Sequence, residues 1–502
     1  MAAKTPFPRI AVALGLADTA RLLECAEREA NAGESFFEFR LDYLEDPWSG
    51  VEAIRHFQER HPDATVLATC RRRQNEGRFN GSIEEQLQIL EAAVDAGARA
   101  VDVEIESAEK IAAQLGVFAG RAQLVLSYHN YEATPQMEQV LRRMTRIPAE
   151  AYKIVTTARK PSDNARLLAL LRAHPRTPLI LLAMGEVGFP TRVLSDSLGG
   201  LYTYAAPRSA GGTAAGQVCA HQLRHLYRVE KLSKSARVYG VIANPVRHSI
   251  SPVVHNRAFQ AHRMDAVYLP FLVVPAHLRD FFAFAAQLPV SGFSVTIPHK
   301  QKVMRYLDFV DPLARRIGAV NTVWRKLGKW RGANTDVAGV AGPLARRLRL
   351  GKASILVVGN GGAARSAAFA LADAGARLAV TGRNPDRVRA FAKVCGAEPL
   401  TPEQVSQRGF DAVVHATPLG MSPHTGECFF DGPIPGEVVF DLVYNPLETE
   451  LLRRAREQGK EVITGLEMFL EQAVRQFEIW TGETAPRAAM QKAAAEALEP
   501  KG

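Results

Sequence analysis

Apolar and polar positions along the first 228 residues fall into one repeated unit: a short apolar run, a turn, and a longer stretch with apolar residues at helical spacing. The runs RIAVAL, FFEFRLD, TVLATCR, AVDVEIE, QLVLSYHN, YKIVTTA, PLILLAMG and LYTYAA read as eight strands. Between them lie helical patterns such as TARLLECAEREANAG, which ends on glycine, and SIEEQLQILEAAVDAG, which opens on a serine followed by acids. Eight such units predict an α/β fold of the (β/α)8 TIM-barrel kind. An open doubly wound sheet is the alternative, and the regular repetition argues against it.

The pattern stops in YRVEKLSKSARVYG, a polar stretch that predicts a linker over 229–236. A second α/β region follows, with strand-like runs VYGVIANP, AVYLPFLV, GFSVTIP and AVNTVWR. A third begins at SILVVGNGGAARSAAFALADAG and continues through RLAVTGR, DAVVHATP and VVFDLVY, and GLEMFLEQAVRQFEIWTG then reads as an amphipathic helix. In GNGGAA, Gly359, Gly361 and Ala364 match G-x-G-x-x-A directly after an apolar strand and at the head of a helix. Glycines in that setting let a diphosphate approach the helix N-terminus, and Asn360, Gly362 and Ala363 complete the turn. The next strand ends in VTGRNPDRV, where an NAD site would place an acid for the ribose hydroxyls. Thr381 and Gly382 stand there instead, followed by Arg383, Asn384 and Arg387. A carboxylate repels a 2′-phosphate and an arginine pairs with it, so the expected cofactor is NADP(H); solvated surface arginines are the plainer alternative.

The chain has 502 residues, long for one core and suggestive of about three domains. Its 47% apolar and 23% charged content are those of soluble globular proteins. No apolar run reaches about 18 residues, so no membrane partner is expected. The opening MAAKTPFPRIAVAL lacks the apolar core of a signal peptide, and the chain reads as complete and cytoplasmic. Cys25, Cys70, Cys219, Cys395 and Cys428 are odd in number and form no C-x-x-C pair, which argues against a disulfide framework or a thiolate metal site; no metal is expected. The net charge of +10 suits nucleic acid or small anions. Lys and Arg are interspersed with acids and no helix-turn-helix pattern occurs, so small anionic substrates are the expected partners, without nucleic acid and with the oligomeric state open.

AYKIVTTA, residues 151–158, sets Lys153 between Tyr152 and Ile154 in a run that reads as a buried strand. Lysine is rarely buried without a partner, and on this stretch alone a snorkelling or salt-bridged side chain is the plain reading. In FFEFRLD, alternation turns Glu38, Arg40 and Asp42 to one face; Phe37, Phe39 and Leu41 take the other, so the polar face is expected inward. Arg71 closes the third strand and His129 the fifth, and barrels of this kind work at the C-terminal ends of their strands. A lysine of ordinary pKa is neutral in about one molecule in 2,500 at pH 7, so a nucleophilic amine needs burial or a neighbouring cation. Arg40 and Arg71 beside a buried Lys153 are expected to supply both. Amine attack on a ketone gives an imine whose positive nitrogen acidifies the adjacent carbon, and a histidine removes that proton. The pattern predicts Schiff-base chemistry on an anionic keto acid.

The stretches FEFRLD, ATCR, EGRFNGS, SYHNYEATP, YKIV, MGEVGFPTRVL and TAAGQ make nearly all of residues 8–228 resemble type I 3-dehydroquinate dehydratases. The resemblance implies that Lys153 forms the imine and that His129 moves protons, oriented by Glu76. It also implies that Glu38, Arg40, Arg71, Arg192, Thr213 and Gln217 bind substrate, with Arg192 meeting its carboxylate. Thr213 stands where serine is common, and EGRF lacks a second glycine.

NPVRHSISP, GFSVTIPHK, GAVNT, GANTD, DLVYNP and GLEMFLEQA make about residues 237–485 resemble shikimate dehydrogenases. Alone, Lys300 and Asp336 read as a surface ion pair. The resemblance makes them the catalytic pair, with the lysine supplying a proton to the carbonyl oxygen as hydride arrives from NADPH. It implies that Ser249, Ser251, Thr296, Asn321, Tyr444 and Gln472 hold the substrate, and Thr417 and Met468 are placed with the cofactor. Ala243 replaces a common glycine and Ser294 a common asparagine, both small changes; His415 replaces a common asparagine near the expected nicotinamide path.

The expected boundaries are a dehydratase barrel over 1–228, a linker over 229–236, a substrate-binding domain over 237–340, a Rossmann NADP-binding domain over 341–465, and a C-terminal helix over 466–500 packing back. Together the two resemblances imply a bifunctional shikimate-pathway enzyme. It would dehydrate 3-dehydroquinate to 3-dehydroshikimate through an imine at Lys153, then reduce the product to shikimate with NADPH. A quinate-metabolising second half using NAD is the rival reading, opposed by Arg383 and the missing acid. A non-catalytic sensor or repressor of the same folds is another, opposed by the presence of Lys153, His129, Lys300 and Asp336.

Overall fold

The computed structural model describes residues 7–209, 211–421 and 423–499; the outermost residues of the expected first and last segments, 1–6 and 500–502, lie outside it. The chain divides into two compact units, Met1–Arg237 with Asp265–Pro289, and Val238–Met264 with Val290–Gly502.

In the first unit eight strands pair in parallel: β1 (Ile10–Leu14), β2 (Phe36–Arg40), β3 (Thr65–Thr69), β4 (Ala100–Glu104), β5 (Gln123–His129), β6 (Ala151–Thr157), β7 (Leu179–Met184) and β8 (Thr203–Ala205). Their order, β7-β6-β5-β4-β3-β2-β1-β8, returns the last strand to the first. The Leu201 amide donates to the Leu179 carbonyl at 2.9 Å and draws the entry of β8 to β7, so the barrel nearly closes. The intervening helices start where the sequence supplies caps. Asp18 accepts from the Arg21 amide, and Ser82 and Glu85 form a reciprocal capping box. Two expected strands end early: Leu41–Tyr43 forms a 3₁₀ turn and Ile105–Ala108 a short helix.

Inward positions sort by depth. Phe36, Leu67, Ala100, Val125 and Ala151 form an apolar layer near the N-terminal ends, with the Phe7 ring 5.5 Å from that of Phe36. Two residues further along the same strands, and so on the same face, stand Glu38, Thr69, Asp102, Ser127 and Lys153. The lower layer is a dry core, and the upper one gathers charge at the C-terminal face.

In the second unit, strand Arg237–Ala243 pairs in parallel with Val290–Val295. That strand pairs antiparallel with Thr322–Lys326, which forms a hairpin with Lys329–Ala333 through Leu327 and Gly328. The hairpin's second strand, KWRGA, with two charged residues and a glycine in five, is not legible as a strand in sequence. A parallel sheet follows, ordered Glu398–Pro399, Arg377–Thr381, Ser354–Val358, Phe410–His415, Gly436–Asp441, Glu461–Ile463. Ile355 and Val357 pack into one core and Leu356 and Val358 into another, so both faces are covered. Helix Gly465–Thr481 lies against Asp336–Ala345, and Arg487–Leu498 against Ser251–Ala261. Among the described residues no helix is long and apolar enough to cross a membrane.

One buried charge in the barrel has a pH signature. Among the described residues Asp196, on helix Phe189–Ser197, pairs only with the Arg9 guanidinium, and its Oδ2 has no hydrogen-bond partner. Burial pushes its carboxyl up to about 7. A raised carboxyl binds a proton in the folded state that the unfolded state has released, so its contribution falls by about 1.4 kcal/mol per pH unit between about pH 4 and pH 7. In Asp196→Asn this slope should vanish: the melting temperature of the variant minus that of the wild type should rise from pH 5 to pH 7.5. A gap constant across that range would refute the assignment.

Candidate active sites

Tyr152 and Ile154 point away from the barrel interior, Tyr152 donating its hydroxyl to the Ile147 carbonyl at 3.0 Å, and alternation then turns Lys153 inward. Lys153 is 2% exposed. Its Nζ contacts the Asp102 carboxylate, lies 3.5 Å from Glu38 Oε1, and donates to the Tyr204 hydroxyl at 3.1 Å. Ser127 donates to Asp102 at 2.7 Å and Thr69 to Glu38 at 2.9 Å.

Arg40 and Arg71 are buried in the same site as Lys153, and the direct contacts to its Nζ are made by carboxylates and the Tyr204 hydroxyl. Arg40 turns to Asp42 with two bonds of 2.8 Å, and Arg71 lies 3.5 Å from Asp102. Several buried cations on one layer would each lose hydration, and interleaved carboxylates restore a charged partner to each. Burial pushes Asp102 upward, but Lys153, Arg71 and the Ser127 hydroxyl outweigh it and hold the carboxyl below its ordinary range.

His129 ends β5. Burial, followed by the positive charges of Arg71, Lys153 and Arg40, holds its imidazole well below the usual histidine range, so it is a neutral base at pH 7. Among the described residues its Nδ1 has no hydrogen-bond partner, and the Tyr131 ring stacks 6.1 Å away. Among the described residues Glu76, the residue expected to orient His129, makes no hydrogen bond to it. This residue stands exposed at φ 60° at the tip of a loop held by the Arg72 amide on Glu104 and the Asn75 side chain on Glu106.

Arg192 is 1% exposed and has no carboxylate partner among the described residues. Its Nη2 donates to the Ala215 carbonyl at 3.2 Å and its Nε has no partner. Burial lowers its pKa to about 10. Beside it, the loop after β8 joins Thr213 and Gln217 through a bond of 3.4 Å from the amide to the hydroxyl. A desolvated guanidinium without a counter-charge is costly, and an anionic ligand would supply one.

In the second unit Lys300 Nζ donates to Asp336 Oδ2 at 2.6 Å, and Asn321 donates to Asp336 Oδ1 at 2.7 Å. Asn321 is fixed in turn by the Thr335 amide and the Thr322 hydroxyl, each 2.7 Å from its oxygen. The pair is therefore built, with the Lys300 side chain 20% exposed and that of Asp336 4%. Ser249 and Ser251 follow strand Arg237–Ala243, and Thr296 follows Val290–Val295, so all three lie at the C-terminal ends of adjacent parallel strands. Met468 and Gln472 pack on Gly339 of the helix that Asp336 opens, and the Tyr444 ring lies 5.1 Å from Phe469. Of the replaced positions, Ala243 is buried and Ser294 donates to Gln476 at 2.7 Å.

Gly359 leaves strand Ser354–Val358 at φ +114°, and a Cβ there would meet the Ala416 carbonyl at 2.8 Å, so only glycine fits. Around Gly361 and Gly362 an added Cβ meets nothing within 4 Å, which leaves room at the head of helix Gly362–Asp373, where Ala363 and Ala364 follow Asn360 across the turn. Thr381 is buried, while Arg383, Asn384 and Arg387 are exposed. No ion pair forms at Arg383 or Arg387 among the described residues. These residues fit a dinucleotide phosphate.

Asp102, Ser127, Tyr204, Asn334 and Thr335 escaped the sequence reading. For Asp102 the signal was available: in AVDVE it alternates with valines as Glu38 does with phenylalanines.

A parallel barrel with a buried lysine at its C-terminal face, followed by a dinucleotide-type α/β unit, defines a two-site α/β protein. Residues 10–234 match the type I 3-dehydroquinase model, 241–323 the shikimate dehydrogenase substrate-binding model, and 465–495 the shikimate 5′-dehydrogenase C-terminal model. The chain is 34% identical over 484 residues to the chloroplastic bifunctional 3-dehydroquinate dehydratase/shikimate dehydrogenase of Arabidopsis thaliana, covering 91% of this chain and 79% of that one. It is 39% identical to the shikimate dehydrogenase (NADP(+)) of Thermosynechococcus vestitus, over 53% of this chain and 98% of that one. The crystal structure of shikimate dehydrogenase from Aquifex aeolicus is similar at TM-score 0.50 and 33% identity, over 52% of this chain and 98% of that one. The chain belongs to the bifunctional 3-dehydroquinate dehydratase/shikimate dehydrogenase family.

Arg192 yields a direct test. A charge-assisted bond contributes about 1.5–3 kcal/mol, so Arg192→Leu should weaken binding of 3-dehydroquinate by about ten- to a hundredfold. Unchanged affinity by calorimetry would rule out its role as carboxylate receptor.

Proposed function

We propose that the barrel over 1–228 dehydrates 3-dehydroquinate to 3-dehydroshikimate and that the remainder reduces this product to shikimate with NADPH. In this assignment 229–236 is the linker, 237–340 binds substrate, 341–465 binds NADP and 466–500 returns to the substrate side. The observation that carries the reading is Lys153, buried among Asp102, Glu38 and Tyr204, with a neutral His129 two residues beyond Ser127 on the neighbouring strand, nearer its C-terminal end.

The Lys153 amine adds to the substrate ketone and, with loss of water, forms an imine. His129 accepts the proton from the adjacent carbon, the departing hydroxyl leaves as water, and hydrolysis of the imine returns the amine. Arg192 holds the carboxylate, and Glu38, Arg40, Arg71, Thr213 and Gln217 orient the hydroxyls. In the second half bound NADPH would supply the hydride. Lys300, held 2.6 Å from Asp336, donates a proton to the carbonyl oxygen. Ser249, Ser251, Thr296, Asn321, Tyr444 and Gln472 bind the hydroxy acid. Gly359 to Ala364 receive the diphosphate, Arg383 and Arg387 the 2′-phosphate with Thr381 and Asn384 beside them, and Thr417 and Met468 flank the nicotinamide. All five cysteines are free, which supports a reducing, cytoplasmic setting.

Borohydride added with 3-dehydroquinate should fix ligand mass on Lys153, and Lys153→Met should abolish this while preserving NADPH-dependent reduction of 3-dehydroshikimate. Mass on another residue would defeat the barrel mechanism. Followed from 3-dehydroquinate, the wild type should consume NADPH as shikimate appears. Arg383→Ala should raise the KM for NADPH by about tenfold and leave that for NADH nearly unchanged. A native preference for NADH and quinate would overturn the assignment of the second half.

A further inference from the structure

His415 ends strand Phe410–His415, the neighbour of Ser354–Val358 that carries the glycine turn. The strand order turns back between these two, so the residues just past them border the crevice in which a doubly wound sheet binds its ligand. Thr417 lies there, its Cγ2 3.2 Å from where a Cβ on Gly359 would sit.

The side chains of Asp441, His415 and Thr417 form a directed chain. Asp441 accepts from the Val443 amide at 3.1 Å, from the Thr449 hydroxyl at 2.6 Å, and from His415 Nδ1 at 2.9 Å. An ionised carboxylate only accepts, so Nδ1 carries the hydrogen, and in the neutral ring Nε2 is then the acceptor. Thr417 Oγ1 lies 2.6 Å from Nε2, and with that tautomer it is the donor. With its one proton committed inward and the Leu419 amide donating to it at 3.3 Å, the half-buried hydroxyl has only lone-pair capacity left for a ligand.

We infer that His415, locked by Asp441, is a positioning residue that turns Thr417 into a fixed acceptor for the carboxamide N–H of the nicotinamide. A freely rotating threonine would offer donor or acceptor equally; this one selects an amide over a ketone at the same position of the ring. The inference rests on the cofactor reading above.

The test uses the full chain, with calorimetry of NADP+ against its 3-acetylpyridine analogue, in which a methyl ketone replaces the carboxamide. The wild type should bind NADP+ about three- to tenfold more tightly than the analogue, the measure of one hydrogen bond. Thr417→Val should abolish the preference, Thr417→Ser should retain it, and His415→Phe should reduce it while leaving shikimate affinity unchanged. Long-range 1H–15N spectra should show the Nδ1–H tautomer of His415 before any ligand is added. An Nε2–H tautomer, or a preference that survives in Thr417→Val, would overturn the inference alone. Failure of the wild type to bind either dinucleotide would overturn the cofactor reading with it.

Discussion

The Lys153 ammonium held against Asp102 and Glu38 inside the barrel is the constraint around which the first site is arranged. An isolated charge in such a place is not sustainable, and removing one partner of a buried pair costs about 3–5 kcal/mol because the other is left uncompensated. The surrounding hydroxyls follow from this. Ser127 and Thr69 occupy remaining lone pairs of the two carboxylates, and the Tyr204 hydroxyl oxygen accepts a hydrogen bond from Lys153. The apolar layer two residues below carries the cohesion, so the polar layer above is free to serve chemistry.

Arg192 follows the opposite rule. Every other inward cation of the barrel site has a carboxylate within 3.5 Å, and this one has none among the described residues. The contrast separates two uses of buried charge in a single cavity: paired groups that position one another, and an unpaired group whose partner must arrive from solution. The depressed pKa of Arg192 is the electrostatic expression of that unmet demand.

The second unit reaches the same end by different means. Its catalytic candidates are anchored by amides and hydroxyls, with Asn321 receiving the Thr335 amide and passing a hydrogen to Asp336. The dinucleotide turn depends on a single backbone requirement at Gly359, where both the positive φ and the approach of Ala416 exclude a side chain. Buried networks of this kind define one orientation for each side chain because each donor has a designated acceptor.

Much of this was legible in the order of residues. Period-two and period-3.6 patterns located all eight barrel strands and the dinucleotide turn, because burial on one face writes itself directly into spacing. The inward lysine, the neighbouring histidine and the exposed Arg383 could be named for the same reason. What sequence could not decide was pairing across strands. Arg40 and Arg71 share the site with Lys153, yet register and side-chain length gave the direct contacts to Asp102 and Glu38, which lie 51 and 115 residues earlier in the chain. Glu76 was assigned by its motif, and loop hydrogen bonds hold it at the surface. His415 looked like a simple replacement until Asp441 and Thr417 gave its two nitrogens opposite roles. Periodicity is local and survives in one dimension; the partner of a buried charge is chosen by three-dimensional closure, which only the folded chain provides.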